Sequence, residues 1–594
     1  MTEKMAGDYT PDFGRLTAPP LPRPQVGRDP FRIAVMGDFT GRGNRGEFET
    51  GAALAARKPH KLDVDTLDAV IGRFATTLTL PVGPGGEAIE VRMSDLDQLH
   101  PDELVDSLAV FEDLVGLRAM VKSGARRTLS DLEGWGVEFG RIPSEKPRGR
   151  RKKAGGVPAD MRLGDFERLI GAERPVHGAA DADELVRRIV APHVVEADSA
   201  DKGAMLAAVD EAISAAMRRV LHHPDFQTLE AGWRTLDLLA RRIETDADLR
   251  ISVYDVAAEE LAADLSPDRD LSESGLFGML AEKPAEDAGE GAFSMVIGLY
   301  SFEETPPHAE LLGRMARIAA HAGAPFVSAM SADFLATPAE DRHRLVKTAW
   351  GALRAMPEAG YLGLATPRFL LRHPYGKRSD PVSAFDFEEF TMAEGMGGML
   401  MANPAALAAV LMAATVKEGG RSPELGSIMS LDDIPFHYIH DAHGDQIALP
   451  CTERMFSART AADVVARGFM PVLSIKGQNV VRLGSWNALG GGTLSGPWAQ
   501  GVAGSDPSAD SSAPAGAVLA EATVSLGAQA GAGVQDARAT VVTPPHETGA
   551  DDEAADGGDD DLDALLADLE AAGDADAAGE TGLDPDLQAL LDDL

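Results

Sequence analysis

Cysteine is nearly missing from this chain: 594 residues contain one, Cys451. A single thiol excludes an intrachain disulfide and any zinc site built on several cysteines, and it suits a reducing compartment such as the cytoplasm. Long apolar runs are missing as well. No stretch reaches the roughly 18 apolar residues that a spanning helix needs. The leading segment MTEKMAGDYTPDFGRL has no apolar core behind its charges, so neither membrane insertion nor a standard export signal is expected. Positive charge is scarce: 55 Lys and Arg face 94 Asp and Glu, a net charge of -39. Such a surface repels nucleic acid and anionic lipid, which argues against either as the main partner. The motifs G-x-S-x-G and H-E-x-x-H and a GKS or GKT triplet are also absent.

What is present divides the chain into five parts. Residues 1–30, with Pro19, Pro20, Pro22, Pro24 and Pro30, read as an extended arm. Residues 31–140 read as a small α/β region. In it FRIAVMGDF is a buried strand, LDVDTLDAVIGRF an amphipathic helix, Ala88 to Met93 a strand, and HPDELVDSLAVFEDLVGLRAMV one strong helix. Residues 141–160 hold KPRGRRKK, a solvated basic linker, with a localisation signal or anion patch as the competing reading. Residues 161–500 alternate strands (LRISVYDV, FSMVIGLYSF, APFVSAM) with helices, which predicts α/β architecture with crossover helices. Val209, Ile213, Met217, Val220 and Leu221 mark one helical face, and Leu229, Trp233, Leu236, Leu239 and Ala240 the next.

Residues 501–594 carry 22 acidic side chains against the lone Arg538 and almost no aromatics. That composition cannot bury enough apolar area to order itself, so a disordered acidic tail is expected. Within it DLDALLADLE and DLQALLDDL place leucines at 562, 565, 566, 569 and at 587, 590, 591, 594. Each reads as a short amphipathic helix, either a docking peptide or a marginal helix in a soluble tail.

Candidate chemistry is thin. Gly41, Gly43 and Gly46 in GRGNRG spell a dinucleotide-loop pattern after a strand, but without a convincing helix behind it a mobile surface turn with Arg42 and Arg45 is preferred. His437, His440, His443, Asp441 and Asp445 invite a metal reading, yet their spacing favours a polar hairpin turning at HGD. His222 and His223 precede Pro224 and suit capping or packing. Cys451 has no neighbouring base and reads as an inert thiol. Glu388 and Glu389 are adjacent and cannot easily form a catalytic pair; a salt bridge with Arg368 or Arg372 is expected instead. No catalytic, cofactor or metal residue is assigned.

The run Tyr361 to Gly376, YLGLATPRFLLRHPYG, packs Leu362, Leu364, Phe369, Leu370 and Leu371 between Pro367 and Pro374 and reads as a buried scaffold corner. With it, VLHHPDFQTLEAGWRTLDLL at 220–239, AHAGAPFVSAMS at 320–331, FDFEEF at 385–390 and the stretch 451–481 resemble the large subunit of the contractile sheath of bacterial type VI secretion systems, the TssC family. AVMGDFTG at 34–41, RKPHKLDVDTLDAVI at 57–71 and VRMSDLDQLHPDELV resemble the small subunit, the TssB family. The resemblance implies a fusion of both subunits, intertwined in mixed sheets, that assembles with itself or other sheath subunits around an inner-tube protein on a baseplate, contracts to eject that tube, and is recycled by an AAA+ unfoldase. It implies no enzyme. Family members exchange terminal strands between neighbours, whereas here a Pro-rich arm replaces the first strand and ordered sequence is expected to stop near Trp498. A non-polymerising adaptor or cap is therefore the alternative, and a nucleotide-binding enzyme using the Gly41–Gly46 loop a further one.

Overall fold

The computed structural model describes residues 9–123 and 202–498, apart from 27–28, 84–85, 288, 340, 421–422 and 441–445. The expectations for the basic segment 141–160 and for the acidic tail lie outside those residues. No helix among the described residues is long and apolar enough to cross a membrane.

The amino-terminal region supplies β1 (Phe31–Gly37), β2 (His60–Leu62), α1 (Leu67–Phe74), the hairpin strands β3 (Thr76–Leu80) and β4 (Ile89–Met93), α2 (Pro101–Ser107) and α3 (Ala109–Ser123). Then come α4 (Lys202–Leu221), α5 (Pro224–Arg242), β5 (Leu249–Asp255), α6 (Ala258–Asp264), β6 (Met295–Phe302), α7 (Pro306–Ala322), β7 (Phe326–Met330), α8 (Arg344–Arg354) and β8 (Leu362–Thr366). The described chain closes with β9 (Phe369–Leu370), β10 (Met401–Ala402), α9 (Ala405–Gly419), β11 (Ser430–Leu431), β12 (Tyr438–His440), β13 (Gln446–Ala448), α10 (Ala458–Ala466), β14 (Met470–Ser474) and β15 (Val481–Leu483).

Nine strands make one mixed sheet in the order β11-β15-β14-β8-β7-β6-β1-β5-β2. Its centre is parallel, and the pairings β14-β15, β15-β11 and β5-β2 at the margins are antiparallel. β1 lies inside this sheet. Phe31 pairs with Leu249 on one side, and Ile33 with Met295 on the other. A parallel strand covered on both faces must be apolar almost throughout, which is why FRIAVMG reads as an unbroken run and why every residue of β1 is buried. Even Arg32 is inside, its guanidinium 4.3 Å from the Phe293 ring centroid. Ile33 and Val35 share one apolar core with Trp233, Leu236, Val253 and Ile297.

Two expectations need correction. The helix anticipated across 100–121 is broken, because Leu108 adopts an extended backbone (φ -97°, ψ 124°), its side chain is buried, and its N–H closes the end of α2 on Leu104 O. In the 361–376 run Leu371 is only half buried, whereas Arg372, two residues past buried Leu370, points inward. The arm, in its described part, is extended and strapped down. Tyr9 O–H donates to Glu310 Oε1 (2.8 Å), Arg314 Nη2 donates to Asp12 O (2.8 Å), Leu271 N–H donates to Arg15 O (2.7 Å), and Phe13 lies in the notch at Gly313 on α7.

Candidate functional site

Two polar seams join residues 31–123 to residues 202–498. The first begins where β1 and β5 end side by side, Gly37 opposite Asp255. The glycine run after β1 curls into a one-turn helix, Arg42–Arg45, with Gly41 at φ +77° and Gly46 at φ +70°, a conformation that favours glycine. Asp38 turns back into this curl. Its Oδ1 accepts the N–H groups of Gly41 (2.7 Å) and Arg42 (2.9 Å), and its Oδ2 accepts that of Gly43 (2.8 Å). The amides that would cradle a phosphate are therefore occupied by the chain's own carboxylate. Gly43 is buried, and a Cβ there would meet Asp38 and Glu259, so the curl is a packed seam and not the free surface turn expected.

Asp255 closes the seam from the other side by accepting Phe39 N–H (2.7 Å) and the Thr40 hydroxyl (2.8 Å). Burial, with the charge of Asp255 adding to it, raises Asp38 to about 7; burial raises Asp255 as well, against the hydrogen bonds it accepts. Arg57 spans the seam. It donates to both oxygens of Glu260 on α6 (2.9 and 3.0 Å) and to the Asp255 carbonyl. Arg42 adds a third bond to Glu260 (3.1 Å). Burial opposes ionisation of Glu260, and the Arg57 pairing outweighs it and holds the carboxyl below its ordinary range.

The second seam centres on Arg372. Its Nε donates to Glu230 Oε1 (2.7 Å), Nη1 to Glu389 Oε2 (2.6 Å) and His373 O (3.0 Å), and Nη2 to Glu389 Oε1 (2.9 Å) and Glu230 Oε2 (3.3 Å). All five guanidinium donors are used, and the cation lies 4.0 Å from the Tyr375 ring centroid. Burial pushes Glu389 up, but Arg372 more than reverses this and holds it at about 2. Tyr375 then reaches the amino-terminal region: its O–H approaches Leu99 O at 3.5 Å while accepting from Arg234 Nη2 (2.9 Å), and its ring meets His100 edge-on. Beside it Asp102 of α2 accepts the N–H groups of Ser383 (3.0 Å) and Ala384 (2.8 Å). The charges of Arg372, Glu230 and Glu389 are paired, hydrogen-bonded and shut away from solvent, which suits a structural joint.

Family models match the same two regions. A model described as "EvpB/VC_A0108, tail sheath N-terminal domain" covers residues 203–489, and one described as "Type VI secretion system, VipA, VC_A0107 or Hcp2" covers residues 28–131. A relative from Pseudomonas aeruginosa, the type VI secretion system sheath protein TssC1, is 33% identical over 323 residues, covering 50% of this chain and 64% of its own length. The chain belongs to the type VI secretion sheath family, with small- and large-subunit regions in one polypeptide.

The remaining candidates of this sheath chain fall into place around the seams. Glu389 pairs with Arg372 as expected, but Arg368 does not join Glu388: it grips Glu453 with two bonds (3.0 and 3.1 Å), and Glu388 accepts the N–H of Lys377. His223 caps α5, its Nδ1 accepting the N–H of Asp225. His222 has a larger role than capping: Nδ1 lies 2.9 Å from Glu394 and Nε2 3.8 Å from Glu389. His437 and His440 fall on or beside the β12–β13 hairpin, while Asp441, His443 and Asp445 lie outside the described residues. Among the described residues no group of three potential ligands is placed to hold a metal. Cys451 is buried, burial raises its thiol, and its Sγ donates to Gln478 O (3.4 Å). Sequence reasoning missed Asp38, Arg57, Asp255, Glu260 and Glu230. Only Glu230 left a signal: a charge between Leu229 and Trp233 on an apolar helical face, four residues before Arg234.

Proposed function

We propose that this chain is a building block of a contractile sheath that assembles around an inner tube on a baseplate in the cytoplasm and contracts to eject the tube. It turns over no substrate in this reading, and recycling falls to an AAA+ unfoldase. The observation that carries the proposal is the place of β1: a small-region strand buried between β5 and β6 makes the two regions one block that transmits force. Such a block stores energy in its contacts with neighbouring copies, not in its own interior.

The surface for those contacts is the hairpin β12–β13. It is two-stranded, too small to be stable on its own, and carries exposed Tyr438 and Ile447 on opposite faces. Its outer edges suit strand addition from a neighbour. One observation favours the adaptor or cap reading: the arm is tied along α7 of its own chain, where it cannot serve as an exchanged strand. A nucleotide site at Gly41–Gly46 has no such support, since Asp38 fills the loop. Electron microscopy of the purified chain separates the readings. Tubes or stacked rings are expected; discrete particles at every concentration favour the cap, and saturable nucleotide binding overturns both.

A further inference from the structure

His222 sits at the elbow between α4 and α5, and its imidazole is held between two carboxylates. Glu394 is at 2.9 Å from Nδ1 and Glu389 at 3.8 Å from Nε2, a buried atom that makes no hydrogen bond. Gly398 permits the approach, since a Cβ there would come 3.1 Å from His222 Cε1. Glu394 belongs to the segment 390–398, whose backbone bonds run within the segment: Glu394 and Gly395 N–H to Thr391 O, Gly397 N–H to Glu394 O. Met392 on this segment is 72% exposed, and Gly395 sits at φ +51°. The charge bond to His222 is thus a main tie between the segment and the helical elbow.

The same segment touches the hairpin. Phe390 and Met396 pack with Leu370, Met399, Met401 and Leu449 in a small apolar cluster of their own, and Leu449 N–H donates to His437 O, extending the β12–β13 ladder. The Phe390 ring also meets the His437 ring at 4.9 Å between centroids. His222, the segment and the hairpin form one mechanical chain.

We propose that His222 is a pH-sensitive latch: protonated, it ties segment 390–398 to the α4–α5 elbow and holds the β12–β13 hairpin in its docked position, and neutral, it releases both. Control of assembly by this latch rests on the reading of the hairpin as the surface that joins neighbouring copies. Burial alone would discharge the imidazole, but the two carboxylates outweigh it and raise its pKa above the ordinary histidine value. A group raised in the folded state contributes fully below its ordinary pKa, about 6.5, and its contribution is lost as pH climbs through the raised value. Other charged groups lie close to the latch. Glu389 is held at about 2 by Arg372, whose charge is shared with Glu230 of α5, and His437, near His373, Glu388 and Glu389, is lowered by burial. Arg218 of α4 is committed to the Glu388 carbonyl (3.0 Å).

Hydrogen exchange of the full chain at pH 5.5 and 8.5, corrected for intrinsic rates, tests the latch. Amides of 390–398 and of the hairpin should exchange about tenfold faster at pH 8.5. His222→Gln should remove that difference and exchange at the alkaline rate at both pH values, and Glu394→Gln should do the same. Equal wild-type rates at the two pH values overturn the latch whatever the variants do, and so does a difference that survives in His222→Gln. Pelleting of assemblies across the same range keeps the two claims apart. Pelleting with pH-independent exchange sinks the latch alone, whereas pH-dependent exchange without any pelletable assembly sustains the latch and sinks the assembly reading.

Discussion

Arg372 shows how a single residue can hold together distant stretches of the carboxy-terminal region. Its five donors are distributed over Glu230, Glu389 and a carbonyl, in a site from which water is excluded. Truncation leaves Glu230 with Arg234 alone and Glu389 with only His222 at 3.8 Å, and breaking a buried pair of this kind costs about 3–5 kcal/mol. Arg372→Ala should therefore lower the thermal midpoint by several degrees and weaken assembly, as read by calorimetry and pelleting; an unchanged midpoint would remove Arg372 from the joint. Arg372→Lys should recover little, because one ammonium cannot reproduce the fork to two carboxylates. The expected partnership of Arg372 with Glu389 was legible from the sequence because the charges lie inside apolar runs. Of the two arginines offered as partners, Arg368 instead takes Glu453, and nothing local in the sequence indicates a partner 85 residues away.

At the scale of elements, periodicity was a dependable guide. Strands β1, β5, β6 and β7 and helices α1, α4, α5 and α7 fall where apolar spacing put them. Leu108 broke an otherwise regular helical pattern because its burial required an extended backbone, a demand from packing that spacing does not express. The proline-rich arm reads as extended; that its described part lies along α7 follows from the notch at Gly313, where any side chain would collide with Phe13. Gly313→Ala should displace the arm while leaving the core intact. Trypsin should then cut at Arg15 well before the core, with a loss of stability under about 1 kcal/mol if the arm is a surface strap. Unchanged cleavage at Arg15 would mean that the arm does not use the notch.

For the whole molecule the decisive fact is that one sheet recruits strands from both regions. β1 has neighbours on each side, and removing it would expose two strand edges and divide the core that Ile33 and Val35 share with Trp233 and Ile297. A chain cut at an engineered protease site between residues 146 and 153 should accordingly stay together, its two pieces co-eluting and unfolding in one cooperative transition in denaturant. Separation of the pieces under native conditions would show that the regions are neighbours and not one block.

The sequence by itself determined the kinds of elements, the absence of an intrachain disulfide and the sheath resemblance, because composition, periodicity and motifs are local properties that each segment carries with it. Tertiary structure alone decided that Asp38 would fill the glycine loop, that Arg57 and Arg372 would each bind carboxylates far along the chain, and that β1 would lie between β5 and β6. Those outcomes depend on which distant groups share a dry interior, where an unpaired charge or amide is too costly to leave alone.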